Sequence, residues 1–317
     1  MKINSTAGYG LIALAIVISA GAYWLSTNTG VGAPVQEKIA PESSSNPDPS
    51  QKRTNQGGLP TGAPTSPAQR PLELSLSERF IASTNLLDLV DSLRVKAAAG
   101  DAEAAGLIAR AYDECFPYAV SKKSLDPSSD FFKNLEEPQK SIALAHRERQ
   151  MLRCNALNAK EIVNTAAVNQ LSKAARDLND LTHQARSILE EPGKLTAAET
   201  AELSREIVSS KDAEAIAALA YSQGENPDDA AYQSKYSGTD VDVYSWLLVA
   251  CDLGRDCASD GVLMRNQCLN MGICTGDNYR EFIRSHVLTP AQYQLASTKE
   301  AEILSAINSG RMGVLFP

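Results

Sequence analysis

The sequence predicts an all-α domain held by disulfides, standing behind a single N-terminal membrane-spanning helix. Three observations carry this. All six cysteines, Cys115, Cys154, Cys251, Cys257, Cys268 and Cys274, lie beyond residue 114. The one long apolar run lies before residue 26. Past residue 73, apolar residues recur at three- and four-residue intervals, alternating strand patterns are missing, and aromatics make up only 6 %. A cysteine-bearing region behind a hydrophobic segment and a spacer is the order expected of a domain exported to an oxidising compartment.

The hydrophobic segment runs from Ala7 to Leu25, AGYGLIALAIVISAGAYWL. A helix of that length reaches roughly 28 Å, just enough for a bilayer core of about 30 Å. Lys2 precedes it and the next charge is Glu37, so the weak positive bias keeps the N-terminus in the cytoplasm. Tyr23 and Trp24 fall where an interfacial aromatic belt would place them. Residues 1–26 are therefore read as a signal anchor. The alternative is a cleaved signal peptide, since Ala20-Gly21-Ala22 fits the small-x-small cleavage pattern. The anchor is preferred because the apolar run continues through Trp24 and Leu25. In both readings residues 73–317 leave the cytoplasm. The expected location is the bacterial inner membrane, single-pass, with the C-terminal domain in the periplasm. Cleavage would instead release the domain into the periplasm.

Residues 27–72 read as a disordered linker. Eight of the fifteen prolines fall here, from Pro34 to Pro71, among Ser, Gly and Asn, with few large apolar side chains. Such a segment cannot bury enough surface to offset its ordering entropy. A flexible coil of about 45 residues spans roughly 35–40 Å on average.

Residues 73–317 read as one helical domain of about nine or ten helices and no sheet. The clearest apolar face runs over residues 171–189, through Leu171, Ala174, Ala175, Leu178, Leu181, Ala185, Ile188 and Leu189. Ser75 with Glu78, Thr196 with Glu199, and Thr289 with Gln292 have capping-box spacing. Pro290 falls at a first helical position, and Pro138 opens another helix.

Two stretches echo each other, Asp101–Tyr112 (DAEAAGLIARAY) and Asp212–Tyr221 (DAEAIAALAY). In each an aspartate can cap a helix whose alanines let a neighbour come close. The second copy reaches Gly224, and Tyr244–Gly254 (YSWLLVACDLG) follows after an insertion. This pair resembles a degenerate Sel1-like repeat, a relative of the tetratricopeptide repeat. The resemblance rests on Asp212, Ala213, Glu214, Ala215, Leu219, Tyr221 and Gly224, then Trp246, Ala250 and Gly254. It covers about 45 residues well. The copies start 111 residues apart, too far for a regular array. The resemblance implies a helical hairpin with Trp246 packed between its helices, and a protein-binding or scaffold role. Tyr112, Tyr221, Tyr244 and Trp246 are the candidate core or partner-binding aromatics. The elements CDLGRDC and CLNMGIC are also similar to those of a group of exported bacterial proteins, a likeness that implies location and carries no activity.

Cys115 sits late in the first of these helices and Cys154 late in the helix opened by Pro138. A bond between them would clasp a hairpin. Cys251-x5-Cys257 and Cys268-x5-Cys274 each place a glycine, Gly254 or Gly272, between two cysteines. A left-handed glycine reverses the chain at a helix end, so local pairing is reasonable within each element. Crossed pairing among the last four stays open. Zinc thiolate pairs are usually spaced more closely, and no C-x-x-C is present. No metal or cofactor is expected.

No histidine, His146, His183 or His286, belongs to a metal-binding pattern. His183 falls two residues past Leu181, off the apolar stripe, and is expected to face solvent. His146 precedes a charged run, and Arg147, Arg149 and Arg153 are expected to form a salt-bridged surface stripe. No nucleophile elbow, phosphate loop or dinucleotide fingerprint occurs. The acid pairs Glu136/Glu137, Asp228/Asp229 and Asp240/Asp242 are expected at the solvated surface. Residues 73–317 carry 25 basic and 35 acidic side chains, a net −10, which disfavours nucleic acid as a partner. The expected function is a membrane-tethered extracytoplasmic module for a protein or peptide partner in the envelope. The alternative is an envelope hydrolase using a carboxylate pair.

Overall fold

The computed structural model describes residues 74–317 except 124, 192 and 225–233. The anchor and linker expected over residues 1–72, and Asp228 with Asp229, lie outside the described residues.

Among the described residues there is no strand, and ten helices have eight residues or more. The chain begins with α1 (Leu76–Ala82), α2 (Leu86–Ala98) and α3 (Ala102–Val120). A short turn, α4 (Asp130–Lys133), leads to the long α5 (Gln139–Lys160). Then come α6 (Thr165–Asp177), α7 (Leu181–Glu190), α8 (Ala197–Ser210) and α9 (Ala213–Ala220). A 3-10 turn over Tyr221–Gln223 ends α9. The second half holds α10 (Asp240–Asp252), α11 (Val262–Met271), α12 (Tyr279–Phe282) with a π turn over Ile283–Val287, α13 (Pro290–Asn308) and α14 (Met312–Leu315).

Local chemistry sets the helix starts. All three expected capping boxes form, on Ser75, Thr196 and Thr289, and Pro290 takes the first helical position. Asp101 accepts from the Ala104 N–H at 3.0 Å. Asp212 accepts from Glu214 and Ala215 at 2.9 and 3.1 Å. The two aspartates open α3 and α9 by the same device.

Packing proceeds through neighbouring pairs. α3 lies against α2, α5 and α6, while α9 lies against α7 and α10, and α10 against α13. One core gathers Phe80, Leu86, Leu93, Leu107, Tyr112 and Leu157. A larger one gathers Ile216, Leu219, Trp246, Leu248, Ile303 and Phe316. All three disulfides are local: Cys115–Cys154, Cys251–Cys257 and Cys268–Cys274. The first clasps α3 to α5, and both its cysteines are fully buried.

The apolar stripe over residues 171–189 is not one helix. It breaks at Asn179, whose φ of 68° is left-handed, into α6 and α7. Asp180 then caps α7 and rests on Gly106 of α3, where a Cβ would collide with its carboxylate. Because the break resets the helical phase, His183 does not face solvent. It is 3 % exposed, and its Nδ1 lies 2.6 Å from Asp180 Oδ1.

The expected surface stripe on α5 is also corrected. Arg149 pairs with Asp260 at the surface, but His146 and Arg153 are buried. Arg153 donates to Glu114 through Nε at 2.6 Å and Nη2 at 2.9 Å, and to backbone carbonyls of Phe80, Ile81 and Ser83. Arg265 of α11 donates to the same carboxylate at 2.9 Å and to Gln150 at 3.1 Å. Two guanidiniums around one carboxylate tie α3, α5 and α11 together beside the Cys115–Cys154 bond. The acid pair on α10 needs correction too. Asp242 is buried and takes Lys299 Nζ at 2.6 Å.

Candidate functional site

The chain reversal after α10 is the starting point. Leu253 ends the helix and Gly254 turns left-handed at φ 107°, a conformation glycine adopts without strain. The N–H of Arg255 then bonds back to Ala250 O at 3.0 Å, and that of Gly254 to Cys251 O at 3.1 Å. The disulfide to Cys257 closes the loop, with Cα atoms 5.6 Å apart. Cys257 O accepts from the Tyr279 N–H at 3.0 Å, fixing the loop to the start of α12.

This loop points Arg255 into a network of buried charges. Its Nε lies 3.4 Å from Glu214 Oε2, with the side chains 11 % and 15 % exposed. Arg110 of α3 meets the other oxygen of Glu214 at 2.6 Å. Arg186 of α7 pairs with Asp113 at 2.9 Å nearby. Burial acts to raise the Glu214 carboxyl, but Arg110, Arg255 and Arg186 outweigh it and hold it below the usual carboxylate range. Arg255 Nε and Nη1 are buried and make no hydrogen bond.

Three tyrosines stand within electrostatic reach of each other, at the end of α9, in the first half of α10 and at the start of α12. Tyr221 is 44 % exposed and Tyr279 only 4 %, and Tyr244 is half-buried. Burial pushes the Tyr279 phenol well up, with Tyr221 and Tyr244 adding to the rise and Arg255 opposing it. Burial, then Tyr221 and Asp240, push Tyr244 up to about 12. Both phenols therefore stay protonated and able to donate across the physiological range.

The structure thus brings together two of the four candidate aromatics, Tyr221 and Tyr244. Tyr112 lies elsewhere, buried in the first core beside Arg94 and Glu161. Trp246 points inward from α10, fully buried, and its Nε1 donates to Tyr236 O at 3.0 Å. Sequence reasoning missed Arg255 and Tyr279. Arg255 carried one signal, its position directly after the glycine of a disulfide-closed loop.

The closest approach to an acid–base pair lies elsewhere. Glu300 is 5 % exposed, and burial, with Asp252 adding, raises its carboxyl despite Arg280. Arg280 takes both Glu300 oxygens, at 2.7 and 2.9 Å, and reaches Asp252 at 2.7 Å. An open groove of about 700 Å³ runs along α13, lined by Ser297, Ala301, Ser305 and Val314 among others. Glu302 is its one acid, half-exposed and bonded to Tyr236 and Lys235. No cluster able to hold a metal occurs among the described residues.

Set against known families, curated proteins and solved structures, the chain matches none.

Proposed function

We infer that this protein is a membrane-tethered, extracytoplasmic helical module that binds a protein or peptide partner. The observation that carries the reading is the gathering of Tyr221, Tyr244 and Tyr279 around the end of the α9–α10 hairpin, with Arg255 acting on Tyr279. Tyrosine and arginine are the side-chain types enriched where proteins hold partners. Glu214, the acid beside Arg255, is engaged by two arginines and is in no position to serve as a general base. The anchor over residues 1–26 and the tether over 27–72 complete the reading on sequence grounds. The three disulfides agree with an oxidising compartment. The Sel1-like character of α9 and α10 belongs to the same proposal, since that hairpin carries Tyr221 and Tyr244.

The test is a photoreactive amino acid at position 221 in the full-length protein, activated in the native envelope. The reading expects a discrete cross-linked partner, lost on competition with unlabelled protein. A diffuse ladder equal to that from an exposed control position, such as Glu202, would reject it. A C-terminal reporter active only outside the cytoplasm should be active, with the protein in the membrane fraction. Recovery as a soluble species starting near Tyr23 would reject the anchor. The hydrolase alternative rests on Asp252 and Glu300. It requires that Glu300→Gln abolish a polymer-cleaving activity of the wild type.

A further inference from the structure

The three disulfides are not equally reachable. Cys115, Cys154 and Cys268 are fully buried, and Cys274 nearly so. Cys251 and Cys257 pack against the larger core but stay partly exposed, and Asp252, Gly254 and Ala258 around them are exposed. Loop length divides the bonds a second way. Cys115–Cys154 spans 39 positions, while each of the others closes a six-position turn, so opening either short one frees the least chain. Of those two, only Cys251–Cys257 has both residues partly exposed. Exposed disulfides are the ones that exchange with thiols, whereas buried structural ones resist reduction.

This bond also holds a costly side chain in place. Arg255 Nε and Nη1 are buried and make no hydrogen bond, and a cationic donor withdrawn from water without a bond is destabilising. The acid it faces, Glu214, stands 3.4 Å away and is already bonded to Arg110 at 2.6 Å. Besides the disulfide, the loop is kept by backbone bonds from Arg255 to Ala250 and from Tyr279 to Cys257, each 3.0 Å. Asp252 pairs with Arg280, and Asp256 accepts from the Val262 N–H at 3.2 Å.

We propose that Cys251–Cys257 is a reducible latch: closed, it keeps Arg255 inside the protein, and a dithiol reductant opens it and lets the guanidinium out to water. A thiolate of the reductant attacks one of the two sulfurs. The S–S bond breaks, and the departing cysteine sulfur takes up a proton. The second thiol of the reductant then attacks the mixed disulfide and releases the other cysteine as a thiol. The reductant closes to a cyclic disulfide, giving up two electrons, and the protein gains two thiols. Glu214 keeps Arg110, so no unpaired carboxylate is left behind. The other two bonds stay closed, and the opening is local.

For the test, full-length protein in mild detergent is treated with dithiothreitol, sampled over time and alkylated, and peptide mass mapping gives the open fraction of each bond. Cys251–Cys257 should open on the order of tenfold faster than either other bond, and denaturing urea should bring the three rates together. Phenylglyoxal, which modifies accessible guanidiniums, reports the arginine. Labelling of Arg255 should rise several-fold once the bond is open, while Arg265, 1 % exposed, stays protected. A double variant, Cys251→Ser with Cys257→Ser, should label at Arg255 as the reduced wild type does. If that variant fails to fold, the reduced wild type still decides. Opening of all three bonds together, or of Cys268–Cys274 first, overturns the proposal. So does an Arg255 that stays protected in the reduced wild type or in the folded variant. Cross-linking at position 221 reports the partner reading separately, so either can fail without the other.

Discussion

The indole of Trp246 stacks on the ring of Phe316, with centroids 6.1 Å apart and planes 21° apart. The penultimate residue of the chain thereby closes the larger core. Trp246 is fully buried and Phe316 is 2 % exposed. Trp246→Ala should cost about 3–5 kcal/mol, a large share of the roughly 5–15 kcal/mol that separates a folded domain from its unfolded chain. Urea denaturation of purified protein measures it. An unchanged midpoint would mean that Trp246 does not hold this core.

Removing Glu114 should be worse than removing the whole cluster. Glu114→Ala leaves Arg153 and Arg265 buried without a counter-charge, and breaking a buried pair this way costs about 3–5 kcal/mol. Replacing all three by apolar residues of similar volume should recover most of that loss. A triple variant less stable than Glu114→Ala would show that the ions contribute more than their desolvation costs.

His146 gives the fold a pH dependence. Burial, with Arg265 and then Arg149 adding, holds its imidazole below its ordinary value, while Asp260 opposes. The native state therefore binds the proton less readily than the unfolded chain. Stability is fully present above the unfolded value, about 6.5. It declines as pH falls through the window between that value and the lowered native one, at no more than about 1.4 kcal/mol per pH unit. Urea midpoints between pH 7.5 and 5.0 should show the decline in the wild type and a shallower one in His146→Gln. Parallel slopes would assign the acid sensitivity elsewhere.

The disulfides should rank by loop length. Opening Cys115–Cys154, separated by 39 positions, should cost about 4 kcal/mol in the chain-entropy model. Opening either six-position loop should cost about 2 kcal/mol. Paired Cys→Ser variants compared by thermal melting test the order. An inverted order would show that native contacts, and not chain entropy, dominate.

Helix starts were legible because their causes are local. Thr289 and Gln292 sit three residues apart, and Pro290 lies between them. Disulfide partners were legible for a similar reason, a glycine reversal inside each short loop. Arg153 was not. On α5 it follows charged neighbours and looks solvated, whereas its partner Glu114 lies 39 residues earlier and Arg265 lies 151 residues from that glutamate. No local pattern records such a pairing. His183 was misread because the left-handed Asn179 reset the phase on which its placement depended. At the candidate site, Tyr221 and Tyr244 could be picked out because they lie in the two stretches that resemble a repeat. Arg255 and Tyr279 could not, since a backbone bond from a distant helix to Cys257 brings them together.

The three disulfides also share an order: the first cysteine joins the second, the third the fourth and the fifth the sixth. A domain emerging from its N-terminal side into an oxidising space would present Cys115, then Cys154, before any other thiol arrives. The same holds for Cys251 with Cys257 and for Cys268 with Cys274. Simple oxidation on emergence therefore yields the native connectivity out of fifteen arrangements, and no shuffling step is needed to correct it. The protein should mature as readily in cells without a disulfide isomerase as in cells that have one.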